Sequence, residues 1–287
     1  RRQRQMCIRD STYTTAKKLS LFMPAASSLL PWFAPRLSRP MIGVLNNLGH
    51  EMHYTRGEVL YESPGFFRPL MLVRRGIVAR ALMDPLHADP LLVSLSGPRA
   101  LCGSCETLYV QDRMVRRHWC MTSVDVHVVN ADLLLRICDQ NPLWQRELSN
   151  YSAICALSDR LGMLVTHATS LEERLGVLMI ASSLSTDSEF LERFRDPSVE
   201  WVPLPVLPSM HVAKVLLSAN RAKIRGVLQR WLQEDTVRWR SHKILLSRPR
   251  FAAFWNRVEP VLRTVAATEP GFPIKMPVRD LELHSEL

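Results

Sequence analysis

The chain is poor in the features that mark several large classes of protein. No run of about 18 apolar residues occurs, so no segment reads as a transmembrane helix and no membrane partner is expected. Its 11 glycines never gather into a phosphate-cradling loop, and no serine sits in a nucleophile-elbow pattern, so no enzyme is expected. Six cysteines are few, and an odd five remain when Cys7 is set aside with the N-terminal stretch considered below. Without a secretory leader, that pattern speaks for reduced thiols in the cytoplasm. Cys102-Gly-Ser-Cys105 lacks a second C-x-x-C to complete a zinc set. It is either a tight turn of small residues or a reversible dithiol. His50 and His53, three apart, read as surface residues beside a strand, and no cofactor is implied.

What the chain does have is charge in one place. The formal net charge is +10, and residues 209–250 hold ten lysines and arginines against two acids, a surplus of eight. Residues 12–208 balance at nineteen of each sign. A basic balance confined to one segment is the footprint of a nucleic-acid-binding element. Four further arginines fall within residues 1–11, where Met6-Cys7-Ile8-Arg9-Asp10-Ser11 matches the in-frame translation of a transposon-end library adapter. Residues 12–40 show little period, and Met23 and Met41 are candidate starts. Residues 1–41 are therefore expected to be an extension, non-native or disordered.

A length of 287 residues suggests about two domains. From 42 to 135, short apolar stretches such as GEVLYESPG, LLVSLSGP and SVDVHVV alternate with turn formers, the texture of a β-sandwich or barrel. Helices begin near 131. Residues 136–168 contain a long helix in which Ile154, Leu157, Leu161 and Leu164 recur at three, four and three, the spacing of a helix that pairs with another helix. Ser170-Leu-Glu-Glu173 is a capping box opening a further helix. Residues 184–208 read as a polar linker with a helical turn or two around Phe190.

The basic segment, within a unit spanning 169–250, is the most informative. Ser209 is a candidate N-cap for a short helix carrying Val212, Val215 and Leu216, and Ser218-Ala219-Asn220 turns the chain. A second helix then buries Ile224, Val227, Leu228 and Trp231 and displays Arg221, Lys223, Arg225 and Arg230. Two helices around a short turn, the second basic on its free face, is helix-turn-helix geometry. Val237-Arg-Trp239 and Ile244-Leu-Leu246 follow as two strands of a basic wing. Residues 251–287 form an extension in which FAAFWNRVEPVLRTV is expected to add a helix, with disorder after Pro270.

A β-roll, a long pairing helix and a C-terminal winged helix-turn-helix, in that order, resemble the cyclic-AMP-receptor/FNR superfamily of bacterial regulators. Gly57-Glu-Val-Leu60, Leu72-Val-Arg-Arg-Gly76-Ile-Val78 and Leu95-Ser-Gly97 carry the likeness in the roll. QNPLW at 140–144 and VLQRWLQEDTVRWRSHKILLS at 227–247 resemble the IprA-like members most. The resemblance implies an α+β chain with a cyclic-nucleotide-binding-like jelly roll and a homodimer joined through Ile154, Leu157, Leu161 and Leu164. Its expected partners are double-stranded DNA and RNA polymerase.

Its expected DNA-binding residues are Asn220, Arg221, Lys223, Arg225, Arg230, Arg238, Arg240 and Lys243. Cyclic-nucleotide binders follow a glycine with a ribose-binding carboxylate; here Ser104-Cys105 follow Gly103. Arg116 stands near the phosphate-binding arginine, but Arg117 replaces the small hydroxyl residue after it. Loss of nucleotide binding is thus expected, with Gly103, Ser104 and Arg116 as the candidate effector residues. A thiol-redox protein using Cys102 and Cys105 is the alternative.

Overall fold

Short apolar stretches broken by turn formers run through residues 50–130, and the chain there folds as strands. In the computed structural model, which describes residues 29–63, 69–87, 89–108, 114–206, 208–240 and 243–265, these are β1 (His50–Tyr54), β2 (Val59–Ser63), β3 (Pro69–Arg75), β4 (Val78–Met83), β5 (Pro90–Ser96), β6 (Leu101–Gly103), β7 (Arg116–Cys120) and β8 (Val124–Asn130). Two antiparallel sheets result, of order β1-β8-β3-β6 and β2-β7-β4-β5. Alternation decides what each face covers. Met71 and Val73 of β3 join Val124, Val126 and Val128 inside the roll. Leu70 and Leu72, pointing the other way, meet three helices: α1 (Arg39–Asn46), α2 (Ala131–Asp139) and α3 (Pro142–Ala168).

The long α3 begins as its sequence requires. Asn141 caps it by accepting from the Leu143 amide, and Pro142 takes the first-turn position where a missing N–H costs nothing. Two buried groups near its start tie it to the cap of α1 and to the roll. Glu147 Oε1 accepts from the Ser38 amide at 3.1 Å and the Tyr151 hydroxyl accepts from the Leu101 amide at 2.7 Å.

The capping box opens α4 (Leu171–Thr186) with both of its bonds formed. Val177, Leu178, Met179, Ile180 and Ala181 are buried in succession, so this helix is apolar all round and sits at the centre of the C-terminal half. Around it lie α5 (Phe190–Arg195), β9 (Trp201–Leu204), α6 (Met210–Leu216), α7 (Arg221–Gln233), β10 (Val237–Arg240), β11 (Lys243–Ser247) and α8 (Arg248–Val265), with the strands ordered β10-β11-β9. Helix α8 is the added helix expected from 251 onward, and it packs on α3 and α4. Strand β9 lies in a stretch read from sequence as linker.

Residues 29–41 depart from the expectation of an extension outside the fold. Leu30, Trp32, Phe33, Leu37 and Met41 are all buried. Their lack of period reflects an irregular arm held by backbone bonds. The Trp32 amide donates to the Ser158 carbonyl at 3.1 Å, and Ala34 and Trp32 exchange bonds with Leu95 at 2.7 Å each. Gly162 makes room for this arm on α3, because a Cβ there would stand 2.2 Å from the Trp32 ring. The adapter-like residues 1–11 and the tail after Pro270 lie outside the described residues.

One apolar cluster runs from the arm through β4 and β5 into α3, α4 and the winged half. Trp32→Ala should therefore cost about 3–5 kcal/mol, as for other buried aromatics. Gly162→Ala should cost about 1–3 kcal/mol through collision with Trp32. Urea unfolding of each variant checks both values, and an unchanged midpoint for Trp32→Ala would remove the arm from the core.

Candidate nucleic-acid interface

Two capped helices and a short turn build the basic surface. The Ser209 hydroxyl accepts from the Val212 amide at 3.4 Å to start α6, and Asn220 Oδ1 accepts from the Lys223 amide at 2.8 Å to start α7. Between them Ser218 adopts φ +46°, the left-handed conformation that turns the chain without a glycine. Val212, Ala213 and Leu216 of α6 and Ile224, Val227 and Trp231 of α7 are buried. At 100° per residue the opposite face of α7 is then fixed, and Arg221, Ala222, Lys223, Arg225, Gly226 and Gln229 are exposed on it. A Cβ at Gly226 would meet nothing within 4 Å, so this face is open.

Trp231 anchors α7 from behind. Its ring stacks on Phe254 at 5.5 Å and meets Phe251 edge-on at 5.2 Å, while its Nε1 donates to Glu172 Oε1 at 2.6 Å. Glu172 stands in the first turn of α4, where the helix dipole favours a carboxylate. Its other oxygen accepts from Arg230 Nη2 at 2.8 Å.

The eight residues expected to touch DNA therefore differ in availability. Asn220 spends its side-chain oxygen on the cap. Arg230 is held by Glu172, and Arg238 is clamped on Asp235 with its guanidinium 3.9 Å over the Trp201 ring. Arg221, Lys223, Arg225, Arg240 and Lys243 are exposed and make no ion pair among the described residues. Arg240 and Lys243 pair across the end of the β10–β11 wing. The wing-tip residues Ser241 and His242 lie outside the described residues. Gln229 was not singled out from sequence, although its place one turn beyond Arg225 puts it on the same outer face. A glutamine there has the amide geometry to pair with adenine.

The dimer-seam candidates straddle two faces of α3. Leu161 is fully buried in its own chain, and Ile154 and Leu157 pack partly on the same core. The face left uncovered carries Ala153, Ala156, Arg160 and Met163, with Leu157 and Leu164 at its edge. The arm explains the offset, because its Trp32 lies against α3 at Gly162, next to Leu161.

In the roll, the effector candidates are already engaged. The Gly103 amide donates to His118 Nδ1 at 2.9 Å, and the Ser104 hydroxyl donates to the Pro69 carbonyl at 2.9 Å. Arg116 is buried and lines a cavity of about 220 Å³ against α3 together with Arg80, Ser94 and Cys155. Sequence reading passed over Arg80, whose signal is a lone cation between the apolar pairs of Val78-Ala79 and Ala81-Leu82.

Cys102 and Cys105 do not form a prepared dithiol. Cys102 packs inside the roll and Cys105 packs on the helix side of the sheet, in separate apolar clusters. Burial pushes other thiols far above the ordinary range: Cys120 and Cys138 up to about 11, and Cys155 up to about 12. At about pH 8 these three are protonated and poor nucleophiles. Iodoacetamide followed by peptide mass mapping should leave them unmodified in the folded chain and modify all three in denaturant. Fast labelling of Cys155 without denaturant would contradict its burial.

No protein-family profile and no curated relative matches the chain. Solved structures do. FixK2 from Bradyrhizobium japonicum matches with a TM-score of 0.54 at 14% identity over 72% of this chain and 97% of its own. TTHA1359, a CRP/FNR-family transcriptional regulator from Thermus thermophilus, matches at 0.50 and 18% over 71% and 97%. A cyclic nucleotide-binding domain containing protein from Listeria monocytogenes matches at 0.51 and 16% over 73% and 96%. The chain thus has the fold of these structures: a β-roll, a long helix and a winged helix-turn-helix in one succession.

Proposed function

We propose that the chain is a sequence-specific DNA-binding transcription regulator, acting as a homodimer in the cytoplasm and communicating with RNA polymerase from its bound site. The observation that carries this reading is α7. It is capped and anchored by Trp231, and it turns Arg221, Lys223, Arg225 and Gln229 outward with no ion pair among the described residues. The paired cations Arg240 and Lys243 on the adjacent wing add the phosphate contacts such a helix needs for register. Likeness to a CRP/FNR-family regulator supports the same reading. The QNPLW and 227–247 stretches support an IprA-like member of that superfamily.

The roll in this proposal does not take a cyclic nucleotide. Its Gly103 amide and Ser104 hydroxyl are spent on His118 and Pro69, and Gly103 has no carboxylate directly after it.

Base-reading and phosphate contacts separate in a salt series. A bidentate arginine–guanine contact is worth ~1–3 kcal/mol of discrimination, and each lost phosphate contact flattens the log-affinity against log-salt slope by about 0.9. Arg221→Ala should narrow the gap between a selected operator and random DNA. Lys243→Ala should weaken both about equally, and Arg230→Ala, whose side chain belongs to Glu172, should leave the slope unchanged. If none of the exposed cations on α7 or the wing affects binding, the helix-turn-helix has another use.

Dimerisation is assigned to the uncovered face of α3. Charges placed at Leu157 and Leu164 together would be buried unpaired in such a seam. The Leu157→Glu/Leu164→Glu chain should sediment as a folded monomer with much weaker operator binding. A double variant that stays dimeric puts the interface elsewhere.

A further inference from the structure

The most exposed aromatic ring on the basic surface belongs to Trp239, 64% exposed one residue before the end of β10. It is on the strand face that, further back, carries the buried Val237, and it stands opposite Ile244. At the wing's end that face runs out of core to cover. Leu232 in the last turn of α7 is 43% exposed and lines the same open groove, of about 400 Å³, which wraps the free edge of β10 and takes in Trp201, Leu245 and Arg240 from the opposite strand face. The groove also holds Asp235, whose charge is matched by the clamped Arg238. Its floor is thus apolar, and its unmatched charge, from Arg240 and the neighbouring Lys243, is positive. Exposed apolar patches with a polar rim mark interaction sites.

A duplex fixes what can lie between a helix in the major groove and a wing beside it. The strand that separates major from minor groove must pass through that gap. A DNA strand presents alternating chemistry, apolar on the deoxyribose and anionic on the phosphates, and the groove offers the same alternation. We propose that the groove between α7 and the wing seats one DNA strand, with Trp239 and Leu232 packed on a deoxyribose face and Arg240 and Lys243 on the flanking phosphates. This rests on the DNA-binding reading of α7, and it assigns to an apolar pair a contact that charge alone would not show.

The two kinds of contact respond differently to salt. An apolar contact releases no counterion, so its loss lowers affinity without changing the slope, whereas a lost phosphate contact changes both. The full-length chain is titrated across a potassium chloride series on a duplex selected from a random pool and on an unselected duplex. Trp239→Ala should weaken both roughly tenfold at every salt concentration with the wild-type slope, as expected when a large aromatic contact is lost. Trp239→Phe should recover most of that loss, and Arg240→Ala should flatten the slope by about 0.9. The ring is exposed, so the melting temperature serves as a folding control.

Wild-type affinity in Trp239→Ala overturns the proposal and leaves the groove to a partner other than DNA. A slope flattened as much as in Arg240→Ala also overturns it, since the ring would then only position a cation. If the wild-type chain binds neither duplex, the DNA-binding reading itself fails.

Discussion

The placement of α7 turns on one carboxylate. Glu172 accepts from the Trp231 indole at 2.6 Å and from Arg230 at 2.8 Å, and so ties α7 to the first turn of the central helix α4. Hydrogen bonds to an ionised acceptor are stronger and shorter than neutral ones. Here the bond also settles the polar edge of a tryptophan whose remaining surface is packed on Phe251 and Phe254. With the inner face of α7 committed in this way, its outer face follows from helix geometry alone. Five cations then differ from their neighbours for a stated reason: Arg230 and Arg238 have carboxylate partners, while Arg221, Arg225 and Arg240 have none among the described residues.

The polar groups at the end of β6 are satisfied from within the roll. A buried histidine, His118, takes the Gly103 amide, and Pro69 takes the adjacent Ser104 hydroxyl. Buried polar groups rarely go unpaired, and a group already paired offers little to a ligand. The cavity beside them contains two buried arginines, Arg80 and Arg116, together with a thiol held protonated at Cys155.

What sequence revealed and what it hid divide along the range of the interactions. The capping box at Ser170 and Glu173, the Ser209 cap, the buried stripe of Ile224, Val227 and Trp231, and the α8 helix all rest on contacts within a few residues, and all were legible, whereas Asn220 was read as turn and caps α7. The arm at 29–37 was not, because its bonds run to Leu95, Arg99 and Ser158 and leave no local period. Strand β9 was missed for a similar reason. It is the edge of its sheet, where Pro203 is tolerated, and its partner β11 lies some forty residues on. On α3 the spacing put Leu161 on an open face, but it is buried in its own chain, since only the folded arm decides which side of the helix remains uncovered. Among the cations, type and spacing marked the surface but not the pairing, because Glu172 is remote in sequence from Arg230.

The apolar cluster that joins the arm, the outer face of β4 and β5, α3, α4 and the winged half has a mechanical consequence. Helix α6 lies directly against β5, and the Trp119 and His211 rings face each other at 6.4 Å, so roll and winged half share a wall instead of a hinge. In a dimer built on α3, the two copies of α7 would then be held like the jaws of a locked calliper. If that dimer binds DNA as proposed, the distance between its two α7 helices would be a property of the protein. An operator with one base pair inserted at its centre would then be met by twisting or bending the DNA instead of by a hinge between roll and winged half.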